Sequence, residues 1–268
     1  METLSIKEIQ QYQLELMTLV DNVCRKNNIH YYLISGSCLG AIRHKGFIPW
    51  DDDIDIGMFR EDYEHFLRIF NSSFDQKKYF LQNEKTEKLF TPSLSRICIL
   101  GTKLEMPWTE HLKINKSIFM DIFPLDNVPD KEKDRKKQYQ QLKFINKLLT
   151  YKIYTLSGNK YKDILKYVVS LIFKLIPLNY LKIKRENIIT KFSKEKTICV
   201  CSMGSKYGYK KHIMPRTVYG EAIELDFENH KFFFPQNYKY HLQHLFGDNY
   251  MKIPPTNKRE KMTKAYRI

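Results

Sequence analysis

Four aspartates fall within five positions, Asp51, Asp52, Asp53 and Asp55, in the stretch GFIPWDDDIDIGM at residues 46 to 58. Aspartate is depleted in strands and repels its own kind, so such a run calls for a counter-charge. Read as a strand, the chain alternates faces, with Asp51, Asp53, Asp55 and Gly57 on one side and Asp52, Ile54, Ile56 and Met58 on the other. Carboxylates two residues apart lie about 5 to 7 Å from each other, and at an effective dielectric near 20 each close pair costs about 3 kcal/mol. A divalent cation reverses the sign of that energy, and magnesium is commonly held by one or two carboxylates together with substrate phosphates and water. The competing reading is a solvated acidic turn after Pro49 in which Asp51 or Asp52 caps a neighbouring element. The Ile-x-Ile alternation running on into IGM favours the strand, and a local rule broken at one place marks function.

The elements that must position these acids are legible on either side. Ile6, Ile9, Leu16, Leu19 or Val20, and Val23 recur at helical spacing, which predicts an amphipathic helix over 5–26. HYYLIS then reads as a strand entering GSCLGAIRHKG, where Gly36 permits a tight approach and Ser37 through Arg43 begin a helix whose first amides suit a phosphate. Gly46 and Pro49 turn the chain into the acidic strand, and REDYEHFLRIF is a helix flanking the sheet. Farther on, SIFMDIFPLD reads as a strand stopped by Pro124, with Asp121 set among apolar neighbours. A buried aspartate needs a partner, and a cation shared with Asp53 and Asp55 is the economical one; a hydrogen-bonded structural aspartate is the alternative.

A chain of 268 residues with 43% hydrophobic residues can bury a sizeable core, and ten glycines exclude collagen-like or linker-rich classes. METLSIKEIQQYQLELM carries acids and no apolar h-region, so a secretory signal is not expected and the cytoplasm is. Five scattered cysteines, Cys24, Cys38, Cys98, Cys199 and Cys201, fit reduced thiols, and Cys199-Val-Cys201 lacks the second pair a zinc site needs. Charge is uneven. Residues 131–200 hold eighteen Lys plus Arg against five Asp plus Glu, so 18 − 5 gives +13 of the total +15. Within them, YVVSLIFKLIPLNYL, broken by Lys174 and Pro177, is too short to span about 30 Å of hydrocarbon. Apolar positions beside lysines match either a helix lying on an anionic membrane or a solvated lysine-rich face. No nucleic-acid-binding module accompanies the charge, so nucleic acid is set aside as a partner.

YYLISGSCLGAIRHKGFIPWDDDIDIGMFREDYEHF, followed by IFMDIFPLD, resembles the LicD family of cholinephosphotransferases, related to the fukutin proteins and similar to the nucleotidyltransferase fold. The resemblance runs from the first helix to about residue 128 and resumes near FFFPQNYKYHLQHLFGDNYMKIPP. It implies an α+β fold: a nucleotidyltransferase-like mixed β-sheet core flanked by helices (1–130), a basic helical insertion (131–200), and a C-terminal part completing the catalytic domain (201–268). It further implies transfer of a phosphoalkanol, typically phosphocholine, from a CDP-activated donor to a sugar of a surface glycan such as lipopolysaccharide, teichoic acid or capsule.

Phosphoryl transfer asks a protein mainly for positioning and charge neutralisation. On that basis Asp53 and Asp55 are expected as the primary ligands of Mg2+ or Mn2+, Asp121 completes the site and can also take the acceptor proton, and Asp51 is a further ligand or orients the ligands. Gly36 and Ser37 contact phosphate, while Arg43, His44 and Lys45 offer positive charge to the diphosphate or form a solvated basic turn. Trp50 anchors in the core or stacks on the donor. The expected protein is a cytoplasmic enzyme peripherally associated with the inner face of the plasma membrane. Its alternatives are a nucleotidyltransferase releasing pyrophosphate and a non-enzymatic adaptor of the same fold. Choline is the first expectation, with ethanolamine, glycerol and ribitol left open by the motif.

Overall fold

A reciprocal cap starts the first long helix: Ser5 Oγ accepts the Glu8 amide, and the Glu8 carboxylate accepts the Ser5 amide at 2.8 Å. The computed structural model describes residues 1–153, 160–172, 175–205, 209–259 and 263–268. In it strand β1 (Glu2–Leu4) precedes this helix, α1 (Ile6–Lys26), which buries Ile9, Leu16, Val20 and Val23 at the spacing expected. Then come β2 (Tyr32–Leu33), α2 (Ser35–His44), β3 (Asp55–Phe59), α3 (Arg60–Ser73), β4 (Tyr79–Gln82), β5 (Ser95–Ile99), β6 (Thr102–Leu104) and β7 (Ile118–Asn127).

The central sheet runs β2-β3-β7-β5-β4. Its β3–β7 pair is parallel, and the other neighbours along that path are antiparallel. This mixed sheet with helices packed on it is the nucleotidyltransferase-like architecture expected, and its apolar side forms one core with α1, α2 and α3. Two boundaries differ from the sequence reading. The acidic strand begins only at Asp55, because residues 49–50 turn and 51–54 have no strand partner. Strand β7 is not stopped by Pro124 but continues to Asn127. Pro124 falls between the stretch paired with β5, which ends at Ile122, and the stretch paired with a later strand, which starts at Asp126. There β7 has a partner on the β3 side only, so the missing N–H has an open side to face.

The basic segment folds into α4 (Glu132–Ile153), α5 (Lys160–Ile172) and α6 (Leu178–Ile189). YVVSLIFKLIPLNYL therefore spans the end of one helix and the start of the next, with Pro177 as the N-cap of α6; Phe173 and Lys174 lie outside the described residues. Among the described residues no helix is long and apolar enough to cross a membrane. Part of the positive charge is structural. Lys182 is buried and donates to the carbonyls of Glu84, Glu87 and Lys88, and buried Arg185 donates to the Thr91 carbonyl and Asn146 Oδ1. The five cysteines are free, and Cys199 and Cys201 are the ends of a short strand.

The chain closes with β8 (Cys199–Cys201), α7 (Tyr209–His212), β9 (Ile213–Pro215), α8 (Arg216–Tyr219), β10 (Ile223–Phe227), β11 (His230–Phe234), α9 (Tyr238–Phe246) and β12 (Ala265–Arg267). β8 extends the central sheet from the far end of β7, and β12 joins β1 to β6. The two ends of the sequence are thereby fastened together beside the acidic loop.

Candidate active site

Strand register brings the first pair of acids together. Asp55 on β3 lies directly opposite Asp121 on the parallel β7, and Asp121 lies opposite Arg96 on β5. Residues opposite each other share a face of the sheet, so the three side chains form one row. Arg96 Nε donates to Asp121 Oδ1 at 2.7 Å, while its guanidinium carbon sits 3.7 Å from the centre of the Phe119 ring. Asp121 is only 8% exposed, and this charge-assisted bond is the partner its burial demands.

The remaining acids stand before β3 in a looped segment. Oxygens of Asp51, Asp52 and Asp53 all lie within 4.8 Å of one another. Asp52, assigned by strand alternation to the opposite face, is therefore in the cluster; without strand pairing, the alternation has no hold on residues 51–54. The loop is held instead from α1. Gln10 Nε2 donates to the Asp51 carbonyl at 2.9 Å, and buried Gln13 Nε2 bridges the carbonyls of Asp52 (3.2 Å) and Phe119 (2.7 Å). The Thr263 amide adds a bond to Asp52 Oδ2 at 2.8 Å. Burial pushes the Asp53 carboxyl well above the usual carboxylate range, and the charges of Asp55, Asp51, Asp121 and Asp52 push it further in the same direction. A site that resists a fifth negative charge in this way suits a divalent cation.

Helix α2 meets the cluster at its N-terminus. The Ser37 hydroxyl accepts the Asp55 amide at 2.9 Å and pins the start of β3 to the helix. A Cβ on Gly36 would stand 2.9 Å from Asp51 Oδ2, so glycine is what lets the carboxylate lie against the helix start. Ser35 has φ +50° although it is not glycine, and its amide donates to Nε2 of the buried His241 at 3.1 Å. The chain is thus bent into the helix by a contact from α9, and the amides of Gly36 and Ser37 remain as first-turn donors. Burial, then the nearby His212 and His244, holds His241 down at about 3, so the ring is neutral and free to accept.

The basic group disperses. Arg43 Nη1 donates to the carbonyls of Tyr250 (3.0 Å) and Lys252 (3.3 Å), and Asp51 is the charge acting on its guanidinium. His44 is half-buried, edge-on to Trp50, and pushed below the usual histidine range by burial and then by Arg43. Lys45 is exposed in the left-handed C-cap of α2, about 14 Å along the helix from Gly36 at 1.5 Å per residue, and so is not brought to the acids. Trp50 packs against the main core, with Arg259 over its ring at 4.2 Å. Arg96, Gln13 and His241 were not singled out from sequence. Gln13 alone left a trace, a polar residue on the apolar face of α1. A cavity of about 360 Å³ between α3, residues 83–94 and α6 contains none of the acids. Its Arg60 is bound to Asp126 and Glu186, and its Lys182 to carbonyls.

A mixed sheet with acids paired on neighbouring parallel strands, next to a Gly-Ser helix start, defines a nucleotidyltransferase-like domain. Residues 28–154 match the family described as LicD/FKTN/FKRP, nucleotidyltransferase domain, the family that the sequence resembles. Over 263 residues, 95% of the chain, it is 28% identical to the lipopolysaccharide cholinephosphotransferase LicD of Haemophilus influenzae, covering 94% of that protein. Short stretches are similar to two human proteins. They are ribitol 5-phosphate transferase FKRP (44% identity over 48 residues, 18% of this chain and 10% of that protein) and ribitol-5-phosphate transferase FKTN (38% over 50 residues, 19% and 11%).

Proposed function

We propose that the protein transfers a phosphoalkanol, phosphocholine first among the candidates, from a CDP-activated donor to a hydroxyl of a lipid-linked surface glycan, releasing CMP. The observation that carries this reading is the convergence of Asp51, Asp52 and Asp53 within 4.8 Å, beside the Asp55–Asp121 pair and the α2 N-terminus. Full-length similarity to a lipopolysaccharide cholinephosphotransferase supports the substrate class. Asp51, Asp53 and Asp55 would hold Mg2+ or Mn2+, with Asp52 close enough to join them. A divalent ion there neutralises the diphosphate charge that develops as the bond breaks.

The chain's own groups do the rest. Gly36 and Ser37 amides meet the phosphate oxygens at the positive end of α2. Arg96 occupies Asp121 Oδ1, leaving Oδ2 to accept the proton of the attacking hydroxyl. The acceptor oxygen forms a bond to the phosphorus bearing the alkanol, the bond from that phosphorus to the bridging oxygen breaks, and CMP departs with the electron pair. Arg43, fixed by two carbonyls, sets the positive edge of the site on the side of Asp51. A nucleotide-activated donor together with a lipid-linked acceptor fits an enzyme working at the inner face of the plasma membrane.

The test is incubation with magnesium, a panel of CDP-alkanols and a glycolipid fraction, following CMP and pyrophosphate separately. Acceptor-dependent CMP release with phosphoalkanol found on glycan is the expected result. Consumption of CTP or ATP with pyrophosphate release and nucleotide on the acceptor would overturn it.

A further inference from the structure

Helix α5 presents apolar side chains to solvent at a regular spacing. Tyr161 is 86% exposed, Ile164 60%, Val168 48% and Leu171 48%, and beyond the helix end Leu175 is 92% exposed. At 100° per residue the four helix positions fall within an arc of about 80°, so they form one stripe and are not scattered surface residues. The neighbouring helices bury most of their apolar positions, Leu142, Ile145 and Leu149 of α4 and Leu178 and Leu181 of α6, and expose Phe144, Tyr180 and Ile183 singly rather than as a stripe. Four or five large apolar residues left out on a single short helix form an exposed patch of the kind that marks an interaction surface.

Charge says what covers it. Residues 131–200 carry +13 of the net +15; Lys162 is exposed on α5 itself, and Lys143 and Lys147 are exposed on α4, which packs against α5. Other cations of the segment are engaged by the protein itself: Arg135 by the Pro129 carbonyl, Lys182 and Arg185 by carbonyls of residues 84–91, and Lys136 by Glu132 on the surface of α4. An apolar stripe about 15 Å long accompanied by exposed lysines fits the headgroup–acyl boundary of an anionic bilayer. A helix of 13 residues is too short to cross it.

We infer that α5 is a monotopic membrane anchor, lying in the plane of an anionic bilayer with Tyr161, Ile164, Val168 and Leu171 sunk among the lipids. The inference deepens the membrane part of the function proposed above but does not depend on the donor or acceptor, so it stands or falls separately from the transferase reading.

The experiment is co-sedimentation of the full chain with vesicles of equal parts phosphatidylglycerol and phosphatidylcholine, and with phosphatidylcholine alone, alongside light scattering of the protein without lipid. The triple variant Ile164→Gln, Val168→Gln, Leu171→Gln keeps the charge unchanged and alters only exposed positions, so the fold should be unaffected. Expected are binding to the anionic vesicles, roughly tenfold or greater weakening by the triple variant, and unchanged turnover of a water-soluble acceptor fragment. High salt, which shortens the Debye length from roughly 10 Å toward 3 Å, should weaken but not abolish the parent's binding. Binding that the triple variant leaves intact would make the attraction purely electrostatic and overturn the anchor. So would a concentration-dependent dimer that the same variant dissolves, with no vesicle binding, since the stripe would then cover a second copy of the chain.

Discussion

Replacing Asp53 by Asn should make the metal-free protein more stable while removing its response to magnesium and its activity. The side chain keeps its size and loses one charge, so the effect can be sized from geometry. At the 4.8 Å limit of the cluster, two full charges at an effective dielectric of 20 repel by about 3.5 kcal/mol, and Asp53 has Asp51 and Asp52 both within that limit. The realised gain is smaller, because all three side chains are partly exposed and solvent screens their charges. About 1 to 3 kcal/mol remains. With an unfolding entropy of about 2.1 cal/mol/K per residue, 268 residues give roughly 0.56 kcal/mol per degree, so the melting temperature in chelator should rise by about 2 to 5 °C. Magnesium at a hundred times its Kd adds about 2.7 kcal/mol to the parent, or about 5 °C, and should add almost nothing to Asp53→Asn. Scanning calorimetry of both proteins in chelator and in magnesium measures all four values. If the variant melts below the parent in chelator, or if magnesium raises both equally, the acids are not a repulsive cluster relieved by a cation, and the assignment of Asp53 fails with it.

Gly36→Ala should leave stability unchanged or raise it by up to about 1 kcal/mol, the usual helix gain, yet cut kcat, because the new methyl displaces the Asp51 carboxylate 2.9 Å away; melting and steady-state kinetics together separate the two effects. Arg96→Gln takes the counter-charge from buried Asp121 and should cost about 3 kcal/mol, roughly 5 °C, with part of the loss regained in magnesium, where a cation faces the same carboxylate. Acid should destabilise the fold through His241 and His212, held down at about 3 and about 4 chiefly by burial. Their folded values lie below the unfolded value near 6.5, so the stability they give is complete above about pH 6.5. It declines toward pH 4 by up to about 1.4 kcal/mol per unit for each ring. Asp126, pushed up to about 6 by burial, opposes this trend, so the informative quantity is the shallower slope of His241→Gln relative to the parent in urea titrations across that range.

Much of the molecule is written locally. The capping box at Ser5 and Glu8, the apolar period of α1, the Gly-Ser start of α2 and the cluster of acids before an Ile-x-Ile strand depend on neighbours a few residues away, and composition alone showed where the positive charge lies. Periodicity failed where its premise failed. Asp51 to Asp53 belong to no strand, so alternation put Asp52 on the wrong side, and Pro124 read as a stop because a sequence does not show that β7 has an open edge at that point. The parallel register that sets Asp55 opposite Asp121 joins positions sixty-six residues apart. Gln13 reaching to the Asp52 and Phe119 carbonyls, Arg96 to Asp121, and His241 to the Ser35 amide are likewise contacts across the fold. Each is a single polar contact with no sequence period of its own. Only packing of α1, β5 and α9 against the acidic loop decided which glutamine, which arginine and which histidine would hold the aspartates in place.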